Sequence, residues 1–145
     1  MRVFLDTSVL VAASVHSHPH YIQALPTLDR VADGKDEGFI STHSIAEVFT
    51  GLTRLPLLPR IHPTEATRII TANLLPYLKT VPIDKDDYLQ ALAITEQSGW
   101  GRAKIYDVLL LVCAGKSEAE RIYTFNLRDF RALAPPALQP KICTP

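Results

Sequence analysis

Val3-Phe4-Leu5 is a short apolar run with no polar alternation, and Asp6-Thr7-Ser8 follows it with three helix-capping side chains. A strand buried on both faces reads this way, and such strands belong to parallel sheets covered by helices. The same punctuation recurs along the chain. Val9 to Ala13 continues as a helix, and Ile22, Leu25 and Leu28 keep step in a second helical stretch ending near Gly34, where Pro26 argues for a kink or a late start. Phe39-Ile40-Ser41 reads as a strand, and Thr42 caps a helix whose Ile45, Val48, Phe49 and Leu52 form one stripe. His62-Pro63-Thr64-Glu65 opens a helix through about Leu75, Thr80 to Ile83 makes a strand, and Asp84 caps a helix that stops at Gly99. Asp107 begins a helix in which Val108 to Ala114 are all apolar, and Arg121 to Phe125 is the last strand. Strands alternating with helices imply right-handed crossovers and an α/β fold, a central mostly parallel β-sheet flanked by α-helices on both faces. Ligands of such sheets sit at the carboxyl ends of the strands. The stretch from Pro135-Pro136 to Pro145 is too proline-rich for regular structure, so one domain is expected over 1–134 and a tail over 135–145.

With 145 residues, 47% hydrophobic and 21% charged, the chain suits one globular domain rather than disorder or a fibrous repeat. Fifteen basic side chains balance fifteen acidic ones, which excludes a polycation that coats nucleic acid or an anionic membrane. Asp6 interrupts the first apolar run too early for a signal-peptide core, and no stretch approaches a membrane span. Cys113 and Cys143 fit neither a disulfide framework nor a zinc site, so a reducing, cytoplasmic setting is expected.

Five acidic or amide positions require explanation. Asp6 falls where the sheet places ligands, although a helix cap explains it equally well. Asp107 is attached to a helix that belongs in the interior, where a carboxylate needs a partner, a metal or the helix dipole. Glu47 lies about 160° from its helix's apolar stripe, the direction of a solvated face. Gly51 and Arg54 share that side, and a mid-helix Gly costs about 1 kcal/mol relative to Ala, which suggests close approach of another group. Asn126 and Asp129 occupy the turn after the last strand, where both are ordinary turn residues. Gathered in one pocket, carboxylates repel one another unless a cation lies between them. Oxygen-only donors favour Mg²⁺ or Mn²⁺, whose chemistry suits phosphodiester hydrolysis.

Asp6-Thr7-Ser8-Val9-Leu10, Glu47 within Ile45-Ala46-Glu47-Val48-Phe49-Thr50-Gly51-Leu52, Tyr106-Asp107 before the apolar helix, and Thr124-Phe125-Asn126-Leu127-Arg128-Asp129-Phe130 resemble the successive motifs of the PIN domain. The likeness runs from Arg2 to about Leu133 and is nearest to the VapC-type toxins of prokaryotic toxin–antitoxin pairs. It implies a PIN fold, Mg²⁺- or Mn²⁺-dependent endoribonuclease activity on RNA, a homodimer, and a cognate antitoxin whose carboxyl-terminal segment covers the cleft. By position, Asp6, Glu47 and Asp107 would form the metal-holding acidic core, with Asn126 at the fourth site and Asp129 an extra acid. Thr7 or Ser8 would orient Asp6, and Thr124 would orient the attacking water. A catalytically silent PIN module that only binds RNA or protein is the alternative within the family. A receiver-like signalling domain would need an Asp ending a middle strand and a Lys ending a late one, where this chain has Ser41, Ile83 and Phe125.

His16, His18 and His20 alternate, but Pro19 interrupts them and no fourth ligand is near, so a polar loop suits them better than zinc. If that loop borders the cleft, it can touch RNA. Residues 1 to 51 carry three basic and six acidic groups, whereas 52 to 83 carry Arg54, Arg60, Arg68 and Lys79 against Glu65 alone. Arg54, together with Arg102, Lys104 and Arg128 beside the acids, is a candidate phosphate contact. Trp100, between two glycines, either stacks on a base or packs over a helix end. Exposed apolar residues between Leu52 and Leu78 are the expected dimer surface.

Overall fold

Residues 1–145 are described by a computed structural model. Five strands, β1 (Arg2–Leu5), β2 (Glu37–Ser41), β3 (Leu78–Val81), β4 (Arg121–Tyr123) and β5 (Ile142–Cys143), pair in parallel in the order β3-β2-β1-β4-β5. Helices α1 (Thr7–Ser14), α2 (Tyr21–Ala32), α3 (Thr42–Arg54), α4 (Pro63–Arg68), α5 (Lys85–Ser98), α6 (Lys104–Lys116) and α7 (Leu127–Leu133) cover the sheet. Successive side chains of β1 enter different cores. Val3 and Leu5 join Val9, Val48 and Leu52 on one face, while Phe4 joins Leu109, Leu111 and Phe130 on the other. Every residue from Val108 to Ala114 is buried, which accounts for a helix without a polar side.

Several boundaries move from where the sequence places them. Ser41, rather than Thr42, caps α3, its hydroxyl accepting the Ser44 amide at 3.0 Å. Asp107 does not start α6, because Ala103 occupies the cap and Asp107 sits inside the first turn. The expected strand over Thr80 to Ile83 shifts to Leu78–Val81, in register with β2, and β4 stops at Tyr123, before Phe125. The helix reaching toward Leu75 is α4 continued by a π-helical stretch, Ile69–Leu74. Pro26 is carried inside α2, whose buried residues are Ala24, Thr27 and Val31, while Ile22 is 86% exposed. Asp84 does cap α5, in a reciprocal pair with Asp87, and Gly99 closes it with φ +71°.

Two expectations are corrected. The tail is not irregular: Gln139–Lys141 is a short 3₁₀ turn, and Ile142 pairs with Ile122 and Cys143 with Tyr123, so the last strand completes the sheet. Proline lacks an amide hydrogen, but Ile142 and Cys143 lie between the prolines and retain theirs. Nor is the Leu52 to Leu78 segment an exposed apolar surface. Leu52, Ile69, Ile70, Leu74 and Leu78 are buried, leaving Leu58 and Tyr77 as its exposed large apolar residues. Tyr88, Leu89 and Leu92 on α5 form a more continuous exposed set. Cys113 and Cys143 are free thiols, and no helix is long and apolar enough to cross a membrane.

Gly51 has a packing reason. A Cβ there would lie 2.8 Å from Val11 Cγ2, so the glycine lets α1 approach α3. Helix propensity alone favours Gly51→Ala by about 1 kcal/mol, whereas overpacking against a buried β-branched side chain costs about 1 to 3 kcal/mol. Urea unfolding should therefore show Gly51→Ala destabilised in the wild-type chain and neutral or stabilised in a Val11→Ala background. Equal effects in both backgrounds would contradict this account of the contact.

Candidate active site

The central strand β1 has β2 on one side and β4 on the other, so connections leave it in opposite directions and a crevice opens at its carboxyl end. Asp6 follows β1 there, and Thr124, Phe125 and Asn126 follow β4. The Asp6 amide donates to the Tyr123 carbonyl at 3.0 Å, which ties the two strand ends together.

Asp6 is 5% exposed and holds the cap position of α1 without a side-chain cap bond. Its Oδ2 instead accepts two hydroxyls, Ser8 Oγ at 2.6 Å and Thr124 Oγ1 at 2.7 Å. The direction of those bonds follows from their neighbours. The Phe125 amide donates to Ser8 Oγ at 3.1 Å and the Asn126 amide donates to Thr124 Oγ1 at 2.9 Å, so each hydroxyl spends its own hydrogen on Asp6. Burial pushes the Asp6 carboxyl above the ordinary range, against the opposing pull of those two hydroxyls.

Glu47 does not face away into solvent. It is half-buried, with Thr7 Oγ1 donating to Oε2 at 2.7 Å and His43 Nε2 3.3 Å from Oε1. Glu47 does project away from the apolar stripe, but that direction is occupied by the cleft. Thr7 thus serves Glu47, while Ser8 serves Asp6, and the Thr124 hydrogen is committed to Asp6 rather than to the open cleft.

Asp107 is pushed up to about 6, chiefly by burial and then by the negative charge of Asp6; Asp129 and Glu47 add to this and Lys104 opposes it. Asn126 Nδ2 lies 3.4 Å from Asp107 and 3.2 Å from Asp129, bridging the two acids. Asp129 is different in kind, because its ion pair with Lys104 holds it below the usual carboxylate range.

Asp6, Thr7, Ser8, Glu47, Asp107 and Asn126 line one cleft of about 920 Å³, together with Arg54. An adjoining groove of about 490 Å³ shares Glu47, Asp107 and Asn126 and adds Arg102, Lys104 and Asp129. Arg128 lines neither, and lies exposed on α7. Trp100 packs against the core with Lys104 Nζ 5.3 Å from its ring centre, so it caps a helix end rather than offering a free stacking face. His43, not singled out by the sequence, also lines the cleft, as do Tyr106 and Phe125, which the sequence marks only as motif neighbours of Asp107 and Asn126. The signals were available: His43 is one helical turn before Glu47, and Tyr106 and Phe125 adjoin Asp107 and Asn126.

The donor set is entirely oxygen at its core, which suits a hard cation. No three His, Cys, Asp or Glu side chains are drawn together tightly enough to hold an ion unaided. Mg²⁺ does not require that, because it keeps several waters and is typically held by one or two carboxylates. Asp6 and Asp107 fit this role, since their mutual repulsion is the kind a divalent ion relieves.

An all-parallel α/β domain with oxygen-lined acids at its topological switch point is the class these features define. Residues 3–135 match the PIN domain, and the chain belongs to that family. It is 27% identical over 128 residues to Ribonuclease VapC27 of Mycobacterium tuberculosis, spanning 88% of this chain and 85% of that protein. The crystal structure of M. tuberculosis VapC20, described as a sarcin-ricin loop cleaving toxin, superposes with a TM-score of 0.68 at 17% identity, over 88% of this chain and 92% of its own. VapBC2 of Rickettsia felis, bound to a promoter DNA fragment, gives a TM-score of 0.62 at 20% identity over 92% and 96%. Those structural likenesses share the fold.

Because the folded-state pKa of Asp107 exceeds its unfolded value, its contribution to stability is fully present below about pH 4 and is lost as pH rises through about 6. Asp107→Asn removes that loss. In metal-free buffer the variant should melt above the wild type near pH 7, with the advantage shrinking toward about pH 4. A difference independent of pH would contradict the crowding of acids described above.

Proposed function

We propose that the protein is a Mg²⁺- or Mn²⁺-dependent endoribonuclease and the toxin of a VapC-type toxin–antitoxin pair. The carrying observation is that Asp6, Glu47, Asp107 and Asn126, from four separate elements, face one cleft at the sheet's switch point. Membership of the PIN family and similarity to a protein named a ribonuclease support the reading. In it, Asp6 and Asp107 would hold the divalent ion, with Ser8 and Thr124 fixing the orientation of Asp6. Such an ion would offset negative charge on the phosphoryl oxygens and lower the pKa of a bound water. Glu47, held by Thr7 and His43, accepts a hydrogen bond from the attacking water and orients it toward phosphorus. Asn126 bridges Asp107 and Asp129 without adding charge, so the second acid stays neutralised by Lys104. Arg54 and Arg102 are the cationic side chains placed to meet flanking phosphates.

The remaining parts of the reading are a cytoplasmic location, a cognate antitoxin covering this cleft, and a homodimer. The α5 residues Tyr88, Leu89 and Leu92 are the exposed apolar set available to such a dimer. RNA cleavage with Mg²⁺ or Mn²⁺ tests the activity. Asp6→Asn and Asp107→Asn should each lose on the order of a hundredfold or more, and chelation should abolish the wild-type rate. Equal cleavage by all three proteins would overturn the assignment, and RNA binding without cleavage by the wild type would favour a silent PIN module.

A further inference from the structure

Two ring stacks line the acidic cleft. His20 lies on Phe125 with centroids 4.4 Å apart and planes 17° apart, and Tyr106 lies against His43 at 5.5 Å and 8°. In each stack one ring is anchored. Phe125 packs against the core that holds Val9 and Val48, and His43 is tied to Glu47 on α3. The outer rings are reachable from solvent: Tyr106 is 46% exposed, and His20 is exposed, with the His18 ring 5.9 Å away and tilted by 43°.

The loop that carries His20 is set in place rather than left free. His18 Nδ1 accepts the His20 amide at 3.1 Å, the His18 amide donates to the Val15 carbonyl at 2.9 Å, and the Tyr21 amide donates to the His18 carbonyl at 3.0 Å. A near-parallel stack with one open face is the geometry that a flat aromatic guest extends. The surrounding charge argues for such a guest too. Asp6, Glu47 and Asp107 repel phosphates and Arg54 is the one Lys or Arg side chain among the cleft's lining residues, so a contact that does not depend on charge adds affinity there. Nucleobases provide it, with stacking worth about 1 to 3 kcal/mol per base, a factor of roughly 5 to 150 in affinity. Bases within a duplex have both faces covered, so only unpaired ones qualify.

We propose that His20 on Phe125 and Tyr106 on His43 form a base-stacking platform that receives unpaired nucleotides of a single-stranded RNA segment beside the acidic centre. The proposal rests on the nuclease reading for its choice of ligand, but binding tests it without cleavage. The probe is a short labelled single-stranded RNA, its binding to the Asp107→Asn protein followed by anisotropy. Tyr106→Ala and His20→Ala added to that protein should each weaken binding about tenfold, while Tyr106→Phe and His20→Phe stay within about threefold. Thermal melting of each variant checks that the fold is retained, and the phenylalanine pair keeps the comparison valid if an alanine variant unfolds. A base-free sugar–phosphate oligomer and a fully paired duplex should both bind the parent protein about tenfold more weakly than the single strand. Alanine variants that bind like the parent, or a base-free oligomer that binds like intact RNA, would overturn the platform. Wild-type cleavage alongside unchanged variant binding removes the platform and leaves the nuclease, whereas base-dependent binding with no cleavage does the reverse.

Discussion

Asp6 lies almost wholly out of water at the end of the central strand, and a carboxylate in that position is sustained only by donors aimed at it. Two hydroxyls supply them, and both are themselves directed by backbone amides of the β4–α7 turn. The consequence reaches beyond one side chain. The same bonds close the ends of β1 and β4 and fix the turn that carries Asn126, so strand pairing and site geometry depend on one network. Within a low-dielectric crevice such a fully directed network rigidifies what it holds.

Around this network the structure separates acids that are satisfied from acids that are not. Asp129 has Lys104, and Asp36, at the other end of the sheet, has Arg30 and the amino terminus; both are held below the usual carboxylate range. Asp107 has neither a cation of its own nor a cap to serve, and it is displaced upward to about 6. A carboxyl displaced by burial and by specific neighbouring charges within a cleft is a functional-site candidate. A cation placed between Asp6 and Asp107 would reverse the direction of that displacement, which links the electrostatics to the proposed chemistry.

Much of the architecture was legible because burial on both faces leaves a plain signature. Val3-Phe4-Leu5 and Val108 to Ala114 are apolar throughout, and the structure splits the first between two cores and places the second in the interior. Local boundaries were less legible where capping residues stand in series: Ser41 and Thr42 are both competent caps, and Ser41, the last residue of β2, is the one that accepts the Ser44 amide. The tail's order is hidden by its proline content, because only two residues between prolines, Ile142 and Cys143, complete the sheet. In the site, the acids were found but their orientation was not. Solvent and cleft look alike on a helical projection, so Glu47 could be placed opposite the apolar stripe but not against Thr7. The assignment of Ser8 to Asp6 and of Thr7 to Glu47 depends on how α1 crosses α3 over Gly51, a tertiary fact that adjacent sequence positions do not reveal.

The cation site proposed at the crowded acids can be read from carbon-detected nuclear magnetic resonance of the Asp107 carboxyl, titrated with and without Mg²⁺. Ionisation near pH 6 in metal-free buffer and a clear downward shift on adding Mg²⁺ are expected. A titration curve for Asp107 that Mg²⁺ leaves unmoved would contradict that site.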